Sequence, residues 1–273
     1  MKRRIGVFFS ALLLAAATFA ASSAWGQATS ISIKLKIIEG RPVADVFING
    51  KGPYAFLLDT GSQRNQMDRG LAAKLGIAAS FQTTLVTPSG GTLVSGARVP
   101  SVALGPIQLA NQVFLIAHSY GLSSLSPNIR GILGQDFLAR FDYTLDYHHH
   151  LLTFGSPVPE GIPIPFHLIH GRMAVPTSQG DLVVDSGTEM LFLYRRVGSA
   201  ANFRVITSSG MSVPVAVERA PALQIGDLVY HADSAIFSPV HDAQEDGLLP
   251  TSLFRSIFIC NSQHFVVFDS GKH

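Results

Sequence analysis

Phe56-Leu57-Leu58-Asp59-Thr60-Gly61-Ser62 places an acid directly after three apolar residues, and Leu182-Val183-Val184-Asp185-Ser186-Gly187-Thr188 does so again in the second half of the chain. An apolar run of this length followed by a turn residue reads as a buried strand. Gly61 and Gly187 allow a sharp turn and close approach of backbone. Each Asp is thus delivered to the end of a buried strand, where an unpaired carboxylate is costly. Two such sites brought together by a two-fold repeat make a pair that can share one proton.

The rest of the sequence supports a repeat. Leu104-Gly105 is echoed by Ile225-Gly226, and Gly131-Ile132-Leu133-Gly134-Gln135-Asp136-Phe137-Leu138 by Gly247-Leu248-Leu249-Pro250-Thr251-Ser252-Leu253-Phe254. The hairpin Leu145 to Phe154 is echoed by Ile259 to Phe268. Four matches in one order predict two copies of a unit of about 120 residues. The proline-rich stretch Gly155 to Pro165 is read as the linker. The expected division is residues 1–26 as a leader, 27–156 as the first lobe and 157–273 as the second.

Around these marks the mature chain reads as all-β, with short Val/Ile/Leu/Phe runs separated by Gly, Pro, Asn and Ser. Asn49-Gly50-Lys51-Gly52-Pro53 between Val43–Ile48 and Tyr54–Leu58 is a hairpin signal. Met67, Leu71 and Leu75, stopped by Gly76, predict one short helix over residues 67–75. The expected architecture is two related closed-barrel lobes with a cleft between them.

Thirteen Asp, 40 Ser plus Thr and 25 Gly in 273 residues give roughly 0.2 Asp-[Ser/Thr]-Gly triplets by chance. Three occur. Asp269-Ser270-Gly271 lies past the last echoed strand and is read as a decoy; the other two occupy matching places in the repeat. A shared proton supplies an acid and a base at one pH, so the base deprotonates a water held between the carboxylates and the acid protonates a scissile carbonyl oxygen.

With Leu-Leu-Asp-Thr-Gly-Ser and Val-Val-Asp-Ser-Gly-Thr each followed by an apolar-apolar-Gly type of segment, residues 30 to 268 resemble the bacterial retropepsin-like aspartic peptidases with two fused lobes. The resemblance implies an aspartic endopeptidase with Asp59 and Asp185 as the catalytic pair. It implies that Thr60 and Ser186 bridge the two loops, with Gly61 and Gly187 beside them, and that Ser62 and Thr188 hydrogen-bond the carboxylates from outside. Ile132-Leu133-Gly134 fits the segment that buttresses the catalytic loop; Leu248-Leu249-Pro250 departs from it. The family's flaps match a hairpin around Pro88, Ser89, Gly90 and Gly91 and another around Ser208, Ser209 and Gly210. The implied partner is an extended peptide or protein substrate, paired strand-like with the flaps.

Composition excludes several other classes. The chain is 47% hydrophobic and 14% charged, enough apolar material for a substantial core. Lys2, Arg3 and Arg4 precede an apolar run from Ile5 to Ala21 and small residues up to Ala24, the order of a secretory leader, with cleavage after Ala24 or Gly26. The expected location is therefore secreted or periplasmic, with an uncleaved inner-membrane anchor as the alternative. Three of the 20 basic residues lie in that leader, leaving 17 against 18 acidic ones, so no basic surface points to nucleic acid. Cys260, the single cysteine, permits no internal disulfide and sits in an apolar run as a buried thiol. His148-His149-His150 reads as a solvated turn, since adjacent residues on a strand face opposite sides. No metal or other cofactor is expected. Both lobes in one chain predict a monomer. A catalytically inactive peptide-binding protein on the same fold is the alternative function, with Pro250 as its sequence hint.

Overall fold

The computed structural model of the chain describes residues 30–87, 90–117, 122, 125–196, 203–208, 211–219, 222–231, 233–237 and 243–271. Residues 1–26, the expected leader, lie outside them. In the first half the elements are β1 (Ile31–Lys34), β2 (Lys36–Ile38), β3 (Arg41–Ile48), β4 (Lys51–Leu58), β5 (Asn65–Asp68), helix α1 (Arg69–Leu75), β6 (Phe81–Thr87), β7 (Gly90–Leu104), β8 (Ile107–Ala117), β9 (Ile129–Leu133), helix α2 (Gln135–Leu138), β10 (Tyr143–Asp146) and β11 (Leu151–Phe154). The second half has β12 (Ile164–Pro165), β13 (His167–Ile169), β14 (Arg172–Thr177), β15 (Gly180–Asp185), β16 (Leu191–Tyr194), β17 (Phe203–Ser208), β18 (Met211–Arg219), β19 (Leu223–Ile225), β20 (Leu228–Tyr230), β21 (Asp233–Phe237), β22 (Gly247–Pro250), a 3-10 turn (Thr251–Leu253), β23 (Ser256–Cys260) and β24 (Phe265–Asp269).

The strands form two eight-stranded sheets with one and the same order of equivalent strands. The first runs β2-β3-β4-β9-β5-β8-β7-β6 and the second β13-β14-β15-β22-β16-β21-β18-β17. In the first sheet β3 also pairs with β7, through Val46↔Leu104 and Ile48↔Val102, so the sheet curls back on itself. A third sheet of six strands, β1-β11-β10-β23-β24-β12, takes three strands from each half. Its central joint is the antiparallel pair β10–β23, with Tyr143↔Ile259 and Asp146↔Ser256.

Strand composition explains the layering. β3 alternates buried and exposed residues from Ala44 to Ile48, facing the core on one side only. The ends of β4 and β15 are instead buried on both faces, as is expected of strands held between a neighbour on each side. Phe56 and Phe114 meet edge-to-face with centroids 6.2 Å apart. Leu58, Val184, Leu133 and Leu249 are fully buried, each contributing about 1.5–3 kcal/mol through burial.

Three local expectations need adjusting. Helix α1 starts at Arg69, because Asp68 is its N-cap and accepts a bond from the Leu71 N–H at 2.8 Å; Met67 lies in β5, buried. The helix ends, as its sequence predicts, at Gly76, which is left-handed with φ 69°. Of the proline-rich linker, Ile164 and Pro165 form β12 on a sheet edge, the position where a proline costs no ladder bond. The β3–β4 turn is just Asn49-Gly50, both at positive φ, so Lys51, Gly52 and Pro53 already belong to β4.

Candidate active site

Strand pairing fixes where the two acids emerge. β4 lies between antiparallel β3 and parallel β9, with Leu58 opposite Leu133, and the Asp59 N–H donates to the Leu133 carbonyl at 3.0 Å. β15 lies likewise between β14 and β22, with Val184 opposite Leu249 and Asp185 opposite Pro250. Each acid stands where its strand ends and a loop begins.

Thr60 and Ser186 tie the two loops together through four hydrogen bonds. Thr60 Oγ1 donates to the Val184 carbonyl at 2.7 Å and accepts from the Ser186 N–H at 2.9 Å. Ser186 Oγ donates to the Leu58 carbonyl at 2.7 Å and accepts from the Thr60 N–H at 3.0 Å. Both side chains are buried, so every one of these groups must be satisfied internally. Each hydroxyl both donates and accepts across the boundary between lobes.

Gly61 and Gly187 serve the opposite lobe's acid. Neither has positive φ, so the turn conformation is not what requires glycine. A Cβ on Gly61 would lie 2.3 Å from the Asp185 carboxyl carbon, and one on Gly187 would lie 2.6 Å from that of Asp59. Each carboxyl group rests against the other loop's glycine, and the two share a hydrogen bond.

The electrostatics of the pair are uneven. Burial, then the charge of Asp185 and the hydrogen bond to it, push Asp59 well above the ordinary carboxylate range. Burial also raises Asp185, but its ionised form is favoured by the Gly187 N–H at 2.7 Å, by the bond from Asp59, and by the charges of Arg172 and Arg41. Asp59 is therefore the better proton holder.

Ser62 and Thr188 do not act as the family resemblance implies. Ser62 Oγ donates to the Arg64 carbonyl at 3.0 Å, and Thr188 Oγ1 to the Met190 carbonyl at 3.2 Å. A hydroxyl has one proton, and the carbonyl two residues ahead takes it. Gly90 and Gly91 sit at the tip of the β6–β7 hairpin, opposite Thr87 and Val86. Ser208 ends β17 opposite Met211, whereas Pro88, Ser89, Ser209 and Gly210 lie outside the described residues. His148 to His150 fill the exposed turn between β10 and β11, where His149 pairs with Asp146 at 2.7 Å. Cys260 is buried beside Asp142 and Ser262. Asp269 closes a small turn by accepting the Gly271 N–H at 2.8 Å.

Several site-building residues escape a motif reading. The first loop is held from within its own lobe. Gln135 donates through Nε2 to the Thr60 carbonyl at 2.7 Å and through its backbone to Ser62 at 2.9 Å, and the Gly134 N–H donates to Asn65 Oδ1 at 3.0 Å. In the second lobe the equivalent of Asn65 is Leu191 and that of Gly134 is Pro250, as the registers Gln66↔Ile132 and Phe192↔Leu248 show. Donor and acceptor have disappeared together, so Pro250 leaves nothing unsatisfied. The second loop is instead held from the opposite lobe: Arg41 Nε donates to the Gly187 carbonyl at 2.9 Å, and its guanidinium pairs with Glu189 at 3.1 Å. Arg41 and Arg172 form a further echo, Ile38-Glu39-Gly40-Arg41 and Ile169-His170-Gly171-Arg172, at the matching hairpins β2–β3 and β13–β14. That repeated Gly-Arg was the available signal.

Comparison with known proteins agrees with this architecture. The profile of the Aspartyl protease family matches residues 44–137, which include Asp59, its loop and the Gly134-Gln135 support. A retropepsin-like aspartic protease from Rickettsia conorii is similar at 22% identity and a TM-score of 0.36, over 46% of this chain and 89% of that one. The Basic 7S globulin from soybean is similar in fold over 89% of this chain and 96% of its own, with a TM-score of 0.50 and 11% identity. No curated protein matches the sequence. The Aspartyl protease match thus takes in the first acid and its supports, and the likeness in fold runs through both halves of the chain.

Proposed function

We propose that the protein is an aspartic endopeptidase that hydrolyses peptide bonds with water activated between Asp59 and Asp185. The observation that carries this reading is the mutual contact of two carboxyl groups, Asp185 buried and Asp59 half-buried, each seated against the other loop's glycine and hydrogen-bonded to its counterpart. Asp59 Oδ1 is buried with no protein partner, which suits an oxygen that receives a water or a substrate group.

The reaction balances with one proton on the pair. The ionised carboxylate takes a proton from water as the water oxygen bonds to the scissile carbonyl carbon. The protonated carboxyl gives its proton to the carbonyl oxygen, forming a gem-diol. In collapse, the newly protonated carboxyl gives its proton to the amide nitrogen as the C–N bond breaks. One gem-diol hydroxyl returns a proton to the other carboxylate, and the pair is restored.

The β6–β7 hairpin supports a peptide ligand by offering a strand-like edge to an extended chain. The reading includes export, through the leader at residues 1–26, and action as a monomer, because one chain supplies both acids. The inactive peptide-binding alternative loses its sequence hint, since Pro250 is matched by Leu191.

Cleavage of a mixed peptide library by purified wild type, Asp59→Asn and Asp185→Asn tests the reading. Turnover by wild type and a loss on the order of 10³-fold or more in each variant is expected, since either proton transfer alone is worth about 10²–10⁴-fold. Appreciable turnover by either variant would rule out the pair, and no cleavage by wild type between acid and neutral pH would favour the binding protein.

A further inference from the structure

We propose that the part-buried Arg172–Glu245 pair is a positioning device which fixes Asp185 as the base and Asp59 as the proton carrier, so that two carboxyl groups in matching loops enter the reaction in different roles. The inference rests on the peptidase reading and adds a division of labour to it.

Strand register supplies the first argument. The pairing Ala174↔Val183 places Arg172 level with Asp185, and Val43↔Leu57 places Arg41 level with Asp59. A symmetric site would keep one guanidinium for each acid. Instead Arg41 leaves its own lobe for the Gly187 carbonyl and Glu189. Arg172 stays, reaching across β15 to Glu245 Oε1 at 3.0 Å. Both guanidinium groups therefore favour the ionised form of Asp185, while the largest influences on Asp59 are burial, the Asp185 charge and its hydrogen bond.

Glu245 is the second argument. It lies two residues before Gly247, which pairs with Leu182. The same place before Gly131 in the first lobe holds Ile129, a buried apolar residue. Only the second lobe has a buried acid there, and a buried acid is retained at a cost unless it is paired. Its pairing orients Arg172 and restrains how strongly that charge acts on Asp185. The other ionisable groups around Asp185 are Asp59, Tyr147, Tyr194, and Glu39 and Glu189 on Arg41. Burial raises both tyrosines, so they stay neutral through the working range.

The two partners should act in opposite directions, which a merely structural pair would not do. Glu245→Gln removes a negative charge and frees Arg172, so the acid limb of kcat/KM against pH moves down by about one unit. Arg172→Gln removes the cation and strands Glu245, so the limb moves up by a similar amount. The double variant returns towards wild type. Limbs that stay put, or move the same way in both folded single variants, would overturn the proposal. Carboxyl-carbon NMR of labelled wild type, assigned with Asp59→Asn and Asp185→Asn, needs neither turnover nor the Arg172 variant. Asp185 should titrate before Asp59, and the reverse order would also overturn it. An inactive wild type would refute the peptidase reading, while the titration order still judges the asymmetry.

Discussion

The loop after Asp59 and the loop after Asp185 have nearly the same local sequence and are held in place by different means. The first hangs on amide groups of its own lobe: Asn65, Gly134 and Gln135. The second has an apolar residue and a proline in the corresponding places and is gripped by an arginine from the opposite lobe. Equivalent backbone positions thus tolerate different chemistry, provided that donors and acceptors are lost in pairs. Where the loops touch each other, at Thr60 with Ser186, Gly61 with Asp185 and Gly187 with Asp59, no such freedom exists, because each residue serves the other lobe.

The largest effects should appear at that shared boundary. Gly61→Ala places a methyl carbon 2.3 Å from the Asp185 carboxyl carbon, and Gly187→Ala places one 2.6 Å from that of Asp59. Each should lower kcat by about 10²-fold or more, since displacement of a reacting group by about 1 Å costs that much. Equal losses in steady-state assays would mean that the boundary is symmetric although the supports are not; near-normal kcat in either would break the comparison.

Next comes the support chemistry. Leu191→Asn buries an amide whose natural donor is missing at Pro250, and should cost about 3 kcal/mol in urea unfolding through lost apolar burial and an unpaired polar group. Adding Pro250→Gly restores the N–H and should recover about 1 kcal/mol, whereas Pro250→Gly alone destabilises. A double-mutant cycle with no coupling would show that Asn65–Gly134 and Leu191–Pro250 are not equivalent solutions.

Stability against pH compares the acids themselves. A carboxyl raised by folding stabilises the native state least once pH has climbed through its folded value, so the wild type loses stability from acid towards neutral pH on account of Asp59. Asp59→Asn cannot ionise, and should be more stable than wild type at pH 7 by at least about 1 kcal/mol, with the gain vanishing below the unfolded carboxylate value of about 4. Asp185→Asn should gain less, since the Gly187 N–H, Arg172 and Arg41 already favour its ionised form. Equal gains in chemical melts across pH would contradict the unevenness of the pair.

The smallest effect is expected from Ser62→Ala with Thr188→Ala. Their hydroxyls bond the carbonyls of Arg64 and Met190, so the loss should be about 1 kcal/mol of stability per bond, with the pH–rate profile in place. A profile displaced upward would return these hydroxyls to the carboxylates.

What the sequence reveals is local. Asp59 and Asp185 are legible because an apolar run, an acid and a small-residue turn lie within seven positions, and the Asn49-Gly50 turn and Gly76 stop are legible for the same reason. The spacing of Met67 to Leu71 favours the helix, whereas the competing cap at Asp68 decides the boundary. Arg41 reaching Gly187 and Asn65 reaching Gly134 are contacts between distant segments, and no periodicity announces them. The sequence leaves the hydroxyls of Ser62 and Thr188 free to turn to a carboxylate or to a carbonyl, and the folded loops give them the carbonyls of Arg64 and Met190.

The sheet that joins the halves has a consequence for how the two loops can change. β10 and β23 are paired along their length, so the second acid arrives at a fixed local concentration however dilute the protein is. A homodimer needs identical halves, because one coding sequence writes both. A single chain is released from that identity. It can keep Ile129 beneath one aspartate and Glu245 beneath the other, and each half can drift separately so long as the shared strands stay paired.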